Sequence, residues 1–388
     1  MIWVFASCAL LVAYSYIGYP ALLWGWSKIR PKRIAKAPIL PSISLVMAVH
    51  NGAKHLPAKL ANLRAINYPS DKIEIVVASD GSTDETDAIL RSASDVHYVS
   101  CPRTGKAGAL NRAIERCSGE VVILTDVRQE IESTAITELA ANFADPAIGC
   151  VSGELMFRSA GEQSARGVSA YWSVEKLVRK LESATGSVIG ATGALYAVRR
   201  ELIPVVPQGT LLDDVFIPLF VLHQKRRVIF DGNARIWDDV AASHEDEFRR
   251  KVRTLAGNYQ LLQLAPWALA DTAIAFRFVS HKLLRLIVPW MLIAMLATSL
   301  LGLRSPVLLT CVVLQVAFYV FGCAAIFFVS LRRFRLASIA STFLTLNAAA
   351  FVALFSFIRH RENPILVWSG PPSHPIATFP EDVQRVKH

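Results

Sequence analysis

The residues of this chain best suited to chemistry are acids and cations set at the edges of apolar runs. Asp80 follows one such run in Ser79-Asp80-Gly81-Ser82, where a carboxylate can accept hydrogen bonds from a base or from ribose hydroxyls. Ser82 with Glu85 three residues later has the pattern of a capping box, with Gly81 making the turn, and Asp80 is not needed for it. Lys106 lies in Thr104-Gly105-Lys106-Ala107-Gly108, a glycine-bracketed helix start. Free amides, the helix dipole and the ammonium would together suit a diphosphate, although a solvated lysine explains the pattern as well. It is not a P-loop, because the leading glycine and the Ser/Thr after the lysine are missing. Asp126, in Thr125-Asp126-Val127-Arg128-Gln129, offers one carboxylate to Mg²⁺ or Mn²⁺, hard ions that complete their shell with phosphate and water. Asp213 and Asp214 are adjacent acids inside the apolar run Leu211–Val215. Either could cap the following segment, yet two acids in such a run are uncommon without a partner or a task. The basic run Arg249-Arg250-Lys251-Val252-Arg253 either faces lipid or grips a phosphate leaving group.

The elements between these residues read as alternating strands and helices. Ile43 to Val49 is a near-continuous apolar run, the mark of a strand buried on both faces, and His50-Asn51-Gly52 punctuates it. Ile73 to Ala78, Val96 to Ser100 and Val121 to Thr125 are three further strands. Helical segments separate them at His55 to Ala65, up to about Ser92, and at Lys106 to Arg116. This alternation predicts an α/β domain, a parallel sheet with helices on both faces. Ligands of such sheets bind beyond the carboxyl ends of the strands. His50, Asn51, Asp80 and Asp126 all fall there, where a nucleotide would lie. From Asp145 the pattern changes to a helix around Val174, Val178 and Leu181. Gly186, Gly190 and Gly193 follow it, implying either backbone close to a ligand or a tight packing loop.

Composition sets this domain beside a membrane. The 388 residues are 53% hydrophobic and only 19% charged, with mean hydropathy +0.38. The excess is concentrated in uncharged stretches at 2–26, 286–303, 305–331 and 336–358, each near or above the roughly 20 residues that cross a bilayer. A purely soluble protein and an all-membrane channel are both excluded, and residues 38–260 form the globular domain. Residues 261–281, interrupted by Pro266, Asp271 and Arg277, are expected to lie along the membrane surface, and the polar residues 369–388 to be a mobile tail. The net charge of +10 raises nucleic-acid binding, but the basic residues border the apolar stretches, as in Lys28, Arg30, Lys32, Arg33 and Lys36. That placement points to membrane lipid and not nucleic acid, and puts the amino terminus outside and the domain in the cytoplasm. Three spans after the domain would carry Arg359 and Arg361 outside, against the same rule. No basic residues precede the first apolar run, so it is not a cleavable signal peptide by pattern. The six cysteines show no metal spacing and suit a reducing compartment.

Taken in order, SDGSTDET, GKAGALNRA, the Asp126 segment, the acid pair and the basic run resemble the membrane-bound family 2 glycosyltransferases, over roughly Pro41 to Gln263. The resemblance implies a GT-A fold with flanking transmembrane helices and a reaction that inverts the anomeric carbon. It implies that Asp80 binds uridine, with His50 and Asn51 beside it, that Lys106 lies near the nucleotide, and that Asp126 meets a metal on the diphosphate. Asp214, the second acid of the pair, would be the base, with Asp213 as its neighbour; Arg250 and Arg253 would hold the departing UDP. Three positions depart from the family pattern. Gly52 replaces a glutamate, Arg128 stands at the second acid of the DxD motif, and Arg250-Lys251-Val252-Arg253-Thr254 replaces Gln-x-x-Arg-Trp. Arg128 would offset diphosphate charge, and the missing tryptophan argues against processive synthesis. The expected activity moves a sugar from a UDP-sugar to a lipid-linked or growing polysaccharide acceptor at the cytoplasmic face of an inner membrane. A glycolipid synthase and an inactive nucleotide-sugar-binding scaffold are the rivals.

Overall fold

Seven consecutive apolar or small residues, Ile43–Val49, form strand β1 at the middle of the sheet, in a computed structural model that describes residues 1–158, 165–239 and 244–360. β1 pairs in parallel with β2 (Ile73–Asp80) and with β4 (Val121–Thr125), and β2 pairs in parallel with β3 (Val96–Cys101). Side chains alternate across the pleat. Leu45, Met47 and Val49 therefore pack with Leu56 and Leu60 on one face, while Val46, Val76 and Ala78 pack with Ala109 and Leu110 on the other.

The second half of the sheet is not parallel throughout, as the strand–helix alternation had implied. β5 (Glu130–Ile131), β6 (Ile148–Arg158), β7 (Leu195–Arg199) and β8 (Arg227–Asp239) complete the order β3-β2-β1-β4-β7-β6-β8-β5. β7 lies antiparallel between β4 and β6, β8 runs parallel to β6, and β5 antiparallel to β8. The long strands β6 and β8 were hidden by their glycines and charges. Their register shifts between Ser152 and Glu154, beside Gly153, where an added Cβ would lie 2.7 Å from the Ala234 carbonyl oxygen. The capping box at Ser82 and Glu85 is likewise not formed. Helix Thr86–Ser92 has Glu85 at its N-cap without a side-chain cap; Asp84 Oδ1 accepts the Thr86 amide at 3.0 Å from the preceding turn, and Ser82 turns toward β1 instead.

Among the described residues four helices are long and apolar enough to cross a membrane: Ile2–Ile29, Thr272–Leu301, Pro306–Phe327 and Arg335–Arg359. Residues 261–281 do not form a separate surface helix. The helix His244–Leu264 stops before Pro266, a short turn Pro266–Leu269 follows, and Asp271 caps a new helix through the Ala273 and Ile274 amides. That helix continues into the apolar one ending at Leu301. Arg361 and the expected tail at 369–388 lie outside the described residues.

Arg277, one of the residues interrupting this segment, and His281 are buried partners of the helix Ala165–Thr185. Glu182, fully buried, accepts the Tyr19 hydroxyl at 2.6 Å and lies 3.0 Å from His281 Nδ1. Glu175 lies 3.2 Å from His281 Nε2 and 2.8 Å from Arg285. Arg277 donates to the Glu182 carbonyl and the Thr185 hydroxyl. Burial alone would raise the Glu175 carboxyl; the charges of His281 and Arg285 outweigh it and hold that group well below the usual range. This network bolts two apolar helices to the globular domain. Removing one partner of a buried ion pair leaves an uncompensated charge, a loss of about 3–5 kcal/mol, whereas an exposed pair contributes ~1 kcal/mol or less. Glu175→Gln should therefore lower the melting temperature in detergent clearly, and Asp95→Asn, at the exposed Arg64–Asp95 pair, should barely move it. Glu175 is held low, so its stabilisation is present above the unfolded carboxyl value of ~4.3 and is lost as pH falls below it. Equal melting shifts for the two variants would overturn this ranking.

Candidate active site

Asp80, at the tip of β2, is 2% exposed and fully engaged. Its Oδ1 accepts the Thr104 amide at 2.7 Å and the Gly105 amide at 3.0 Å, while Oδ2 pairs with the Arg103 guanidinium. These amides open the helix Gly105–Ile114. They are therefore taken by Asp80 and are not free for a diphosphate, as the glycine-bracketed start had suggested. His50 and Asn51 tie the tips of β1 and β2 together. His50 Nδ1 is 2.9 Å from the Asp80 carbonyl oxygen, and Asn51 Oδ1 accepts the Thr83 amide at 2.8 Å.

Fixing the helix start aims Lys106. Its ammonium lies 3.2 Å from Asp126, at the end of β4, and 3.2 Å from Asp213, at the start of the helix Asp213–His223. Burial would lower the lysine, but Asp126, Asp213 and Asp214 outweigh it and hold it above its ordinary range. Asp214, one residue on, is pushed up to about 6 by burial and by the charge of Asp213, against the pull of Lys106. The Tyr196 hydroxyl, from β7, donates to Asp213 at 3.3 Å. The acid pair is thus split electrostatically: Asp213 faces the ammonium, and Asp214 is the member whose carboxyl is raised.

The glycines after the helix Ala165–Thr185 pack this pair. A Cβ on Gly193 would lie 2.8 Å from the Asp214 carboxylate, and the Ala191 amide donates to the Asp214 carbonyl at 2.7 Å. Arg179 holds the same loop through Thr192 at 2.7 Å. Arg128, set at the missing second acid, is engaged by Asp238, at 3.2 and 3.0 Å, and Gln129 donates to the same carboxylate. Arg250 sits near this pair, and burial, then the Arg128 charge, pull it below its usual value. Arg253 is close enough to depress Lys106. Both are on the helix His244–Leu264, which is locked to the acid-pair loop. Gln260 accepts the Leu211 amide at 2.9 Å and donates to the Gly209 carbonyl at 2.8 Å, and Gly257 leaves room for Leu212.

Ten residues singled out in the sequence thus gather around the carboxyl ends of β1, β2 and β4. Tyr196, Asp238, Gln260 and Lys59 were missed. Lys59 is buried beneath Asp126, donates to Thr125 and to the Gln129 carbonyl, and is pushed down by burial to about 7. Only Asp238, beside Asp239, has a neighbour in sequence that could have signalled it. Among the described residues no three His, Cys, Asp or Glu side chains form a metal cluster. Asp126 remains half-exposed, so the donor set fits a hard cation that takes one protein carboxylate and draws its other oxygens from a diphosphate and water.

Residues 44–205 match the model of the family described as Glycosyl transferase family 2. The poly-beta-1,6-N-acetyl-D-glucosamine synthase of Staphylococcus aureus (strain COL) is 23% identical over 234 residues, covering 58% of this chain and 56% of that one. The protein of the same name from Staphylococcus epidermidis is 22% identical over 241 residues, covering 59% and 58%. The chain thus matches little more than half the length of these relatives. Among solved structures, the mannosyltransferase PcManGT from Pyrobaculum calidifontis, in complex with GDP-Man and Mn2+, aligns with TM-score 0.70 at 23% identity, over 92% of this chain and 99% of that one. This likeness is one of fold, the curled mixed α/β sheet of GT-A enzymes.

Gly193→Ala should force the Asp214 carboxylate aside, and a shift of ~1 Å at a reacting group can cost about 10²-fold in rate. Gly190→Ala meets the Val215 side chain at 3.0 Å and the Asp214 carbonyl oxygen only at an ordinary 3.5 Å, and should cost far less. Sugar-transfer rates and melting temperatures measured for both variants check this; similar rates for the two would dismiss the packing role of Gly193.

Proposed function

We propose that this chain, residues 44–205 of which match the family 2 glycosyltransferase model, moves a sugar, with inversion, from a UDP-sugar to a lipid-linked or growing polysaccharide acceptor. The transfer takes place at the cytoplasmic face of an inner membrane, since Lys28, Arg30, Lys32 and Arg33 cluster at the end of the first apolar helix. The observation that carries this reading is the Asp214 carboxyl, raised to about 6 beside an Asp213 that faces Lys106. A base of that kind is ionised near neutrality and basic enough to take a proton from an acceptor hydroxyl as it attacks. The hydroxyl oxygen bonds to the anomeric carbon, the bond from that carbon to the phosphate oxygen breaks, and UDP leaves with the electron pair. The proton passes to Asp214. Lys106, Arg250 and Arg253 are cations fixed before the reaction, suited to the charge that develops on the leaving diphosphate. Arg128, oriented by Asp238, faces the same end of the site. Asp80, His50 and Asn51 shape the nucleoside end, where the Asp80 carboxylate would exchange part of its present bonding for the uracil.

Asp126 would hold Mg²⁺ or Mn²⁺ together with the donor phosphates, and that ion would supply further neutralisation of diphosphate charge. The curated relatives named as poly-beta-1,6-N-acetyl-D-glucosamine synthases make UDP-N-acetylglucosamine the first donor to test.

Transfer should rise with pH through about 6 and level off above it, because the base acts in its ionised form. Asp214→Asn should reduce transfer by ~10²–10⁴-fold while leaving donor binding, read by calorimetry, intact. Arg253→Ala should weaken both. Retained transfer in Asp214→Asn, or a flat profile between pH 5 and 7, would place the base elsewhere. Asp126→Ala and excess chelator should each abolish turnover; a wild type fully active in chelator rules out the cation.

A further inference from the structure

We propose that a cavity among the apolar helices seats the hydrocarbon chain of the acceptor, so that the enzyme glycosylates a membrane lipid and not a free glycan. This rests on the sugar-transfer reading above and narrows its acceptor. The cavity has a volume of about 790 Å³, within the ~300–1,000 Å³ of typical ligand sites. Its walls are Leu292 and Ile293 from the helix Thr272–Leu301, Tyr319 and Ile326 from Pro306–Phe327, and Leu344 and Phe351 from Arg335–Arg359. These helices have membrane-spanning length, so the medium around that part of the molecule is lipid chain.

Several polar groups on those walls already spend their hydrogen bonds within the protein. Ser341 donates to the Ser338 carbonyl at 3.0 Å, Thr345 to the Ser341 carbonyl at 2.8 Å, and Asn347 to the Phe343 carbonyl at 2.9 Å. The Tyr319 hydroxyl accepts from Gln315 at 2.7 Å. A glycan entering here would give up its bonds to water and find few replacements, a penalty of ~1–3 kcal/mol for each buried group left unpaired. A hydrocarbon chain gives up none.

Charge lines the cavity only where the globular domain meets it. Glu245, Glu247 and Lys251 belong to the helix His244–Leu264, and Arg332 to the turn Val329–Arg333, which packs on the helix Ala165–Thr185 that also carries Trp172. Lys251 lies over the Trp172 ring at 5.2 Å. An apolar bore with one polar mouth fits an amphiphile. The same helix carries Arg250 and Arg253 and grips Leu211 and Leu212 beside the acid pair, so a lipid seated in the bore has its head at the wall of the active site.

The test uses the full chain in phosphatidylcholine nanodiscs doped with phosphatidylglycerol that carries a diazirine near the end of one acyl chain. After irradiation, adducts should concentrate on peptides spanning residues 284–301 and 335–351. Ala348 lines the cavity and has room for a larger side chain; Ala348→Trp should cut this labelling about tenfold, the equivalent of ~1.4 kcal/mol of binding. Leu314→Trp, on a helix face outside the cavity, should not. The same Ala348→Trp protein should lose transfer to a membrane lipid extract yet keep donor binding and UDP-sugar hydrolysis. Labelling that ignores the Ala348 change, or transfer to soluble oligosaccharide that survives it, overturns the proposal while leaving sugar transfer standing. Filling-sensitive labelling in a protein that turns over no donor overturns the transfer reading, and with it the role of this lipid as acceptor.

Discussion

One ammonium group holds the site together. Lys106 lies 3.2 Å from two carboxylates, Asp126 and Asp213, that arrive from different elements and would otherwise repel. At such distances a unit charge pair near a protein surface is worth ~4 kcal/mol, so removing the cation would drive the acids apart or protonate them. Lys106 can hold them because its helix begins at a defined place, and Asp80 defines it by binding the first amides. Asp80 is fixed in turn by β2, which is paired on both edges. From the sheet to Asp80, to the helix start, to Lys106 and to the acid pair is a single chain of contacts. Each step restricts the next.

A second set of contacts approaches the acid pair from the other side. Arg179 anchors Thr192, next to Gly193, whose missing side chain leaves room for Asp214. The helix bearing Arg179 also carries Glu175 and Glu182, which bind His281, Arg285 and Tyr19 from the apolar helices. The loop beneath the candidate base is therefore connected through one helix to the part of the protein suited to lipid. Buried ionic groups are a poor source of net stability compared with apolar packing, but they demand one geometry. That suits a junction where a slip of a turn would misplace Asp214.

The strand-tip end of the candidate site and the side that meets the apolar helices differ in how they are built. The former rests on strand tips joined by short local bonds, such as His50 and Asn51 with the loop after β2. The latter depends on helices far apart in sequence, such as His244–Leu264 against Arg335–Arg359, where Tyr259 stacks on Phe357 with ring centroids 5.7 Å apart. Packing of that kind has no local signature.

The amino-acid sequence by itself determined the parts that depend on near neighbours. Apolar runs with period two or without polar interruption gave β1 to β4, and uncharged stretches gave the apolar helices. Turn residues at strand ends put Asp80, Asp126 and Asn51 on one edge. It also carried the acid pair, because two charges in an apolar run conflict with their surroundings. Only the tertiary structure decided which of these groups touch. It turned Arg128 toward Asp238, 110 residues away, closed the start of the Lys106 helix with Asp80, and buried Arg277 and His281 against Glu182. It also inserted β7 antiparallel between β4 and β6. The physical reason is common to all of them. Hydrophobic periodicity is written into adjacent residues, whereas the charge partner of a buried group is set by where the chain returns, and that depends on the whole packed core.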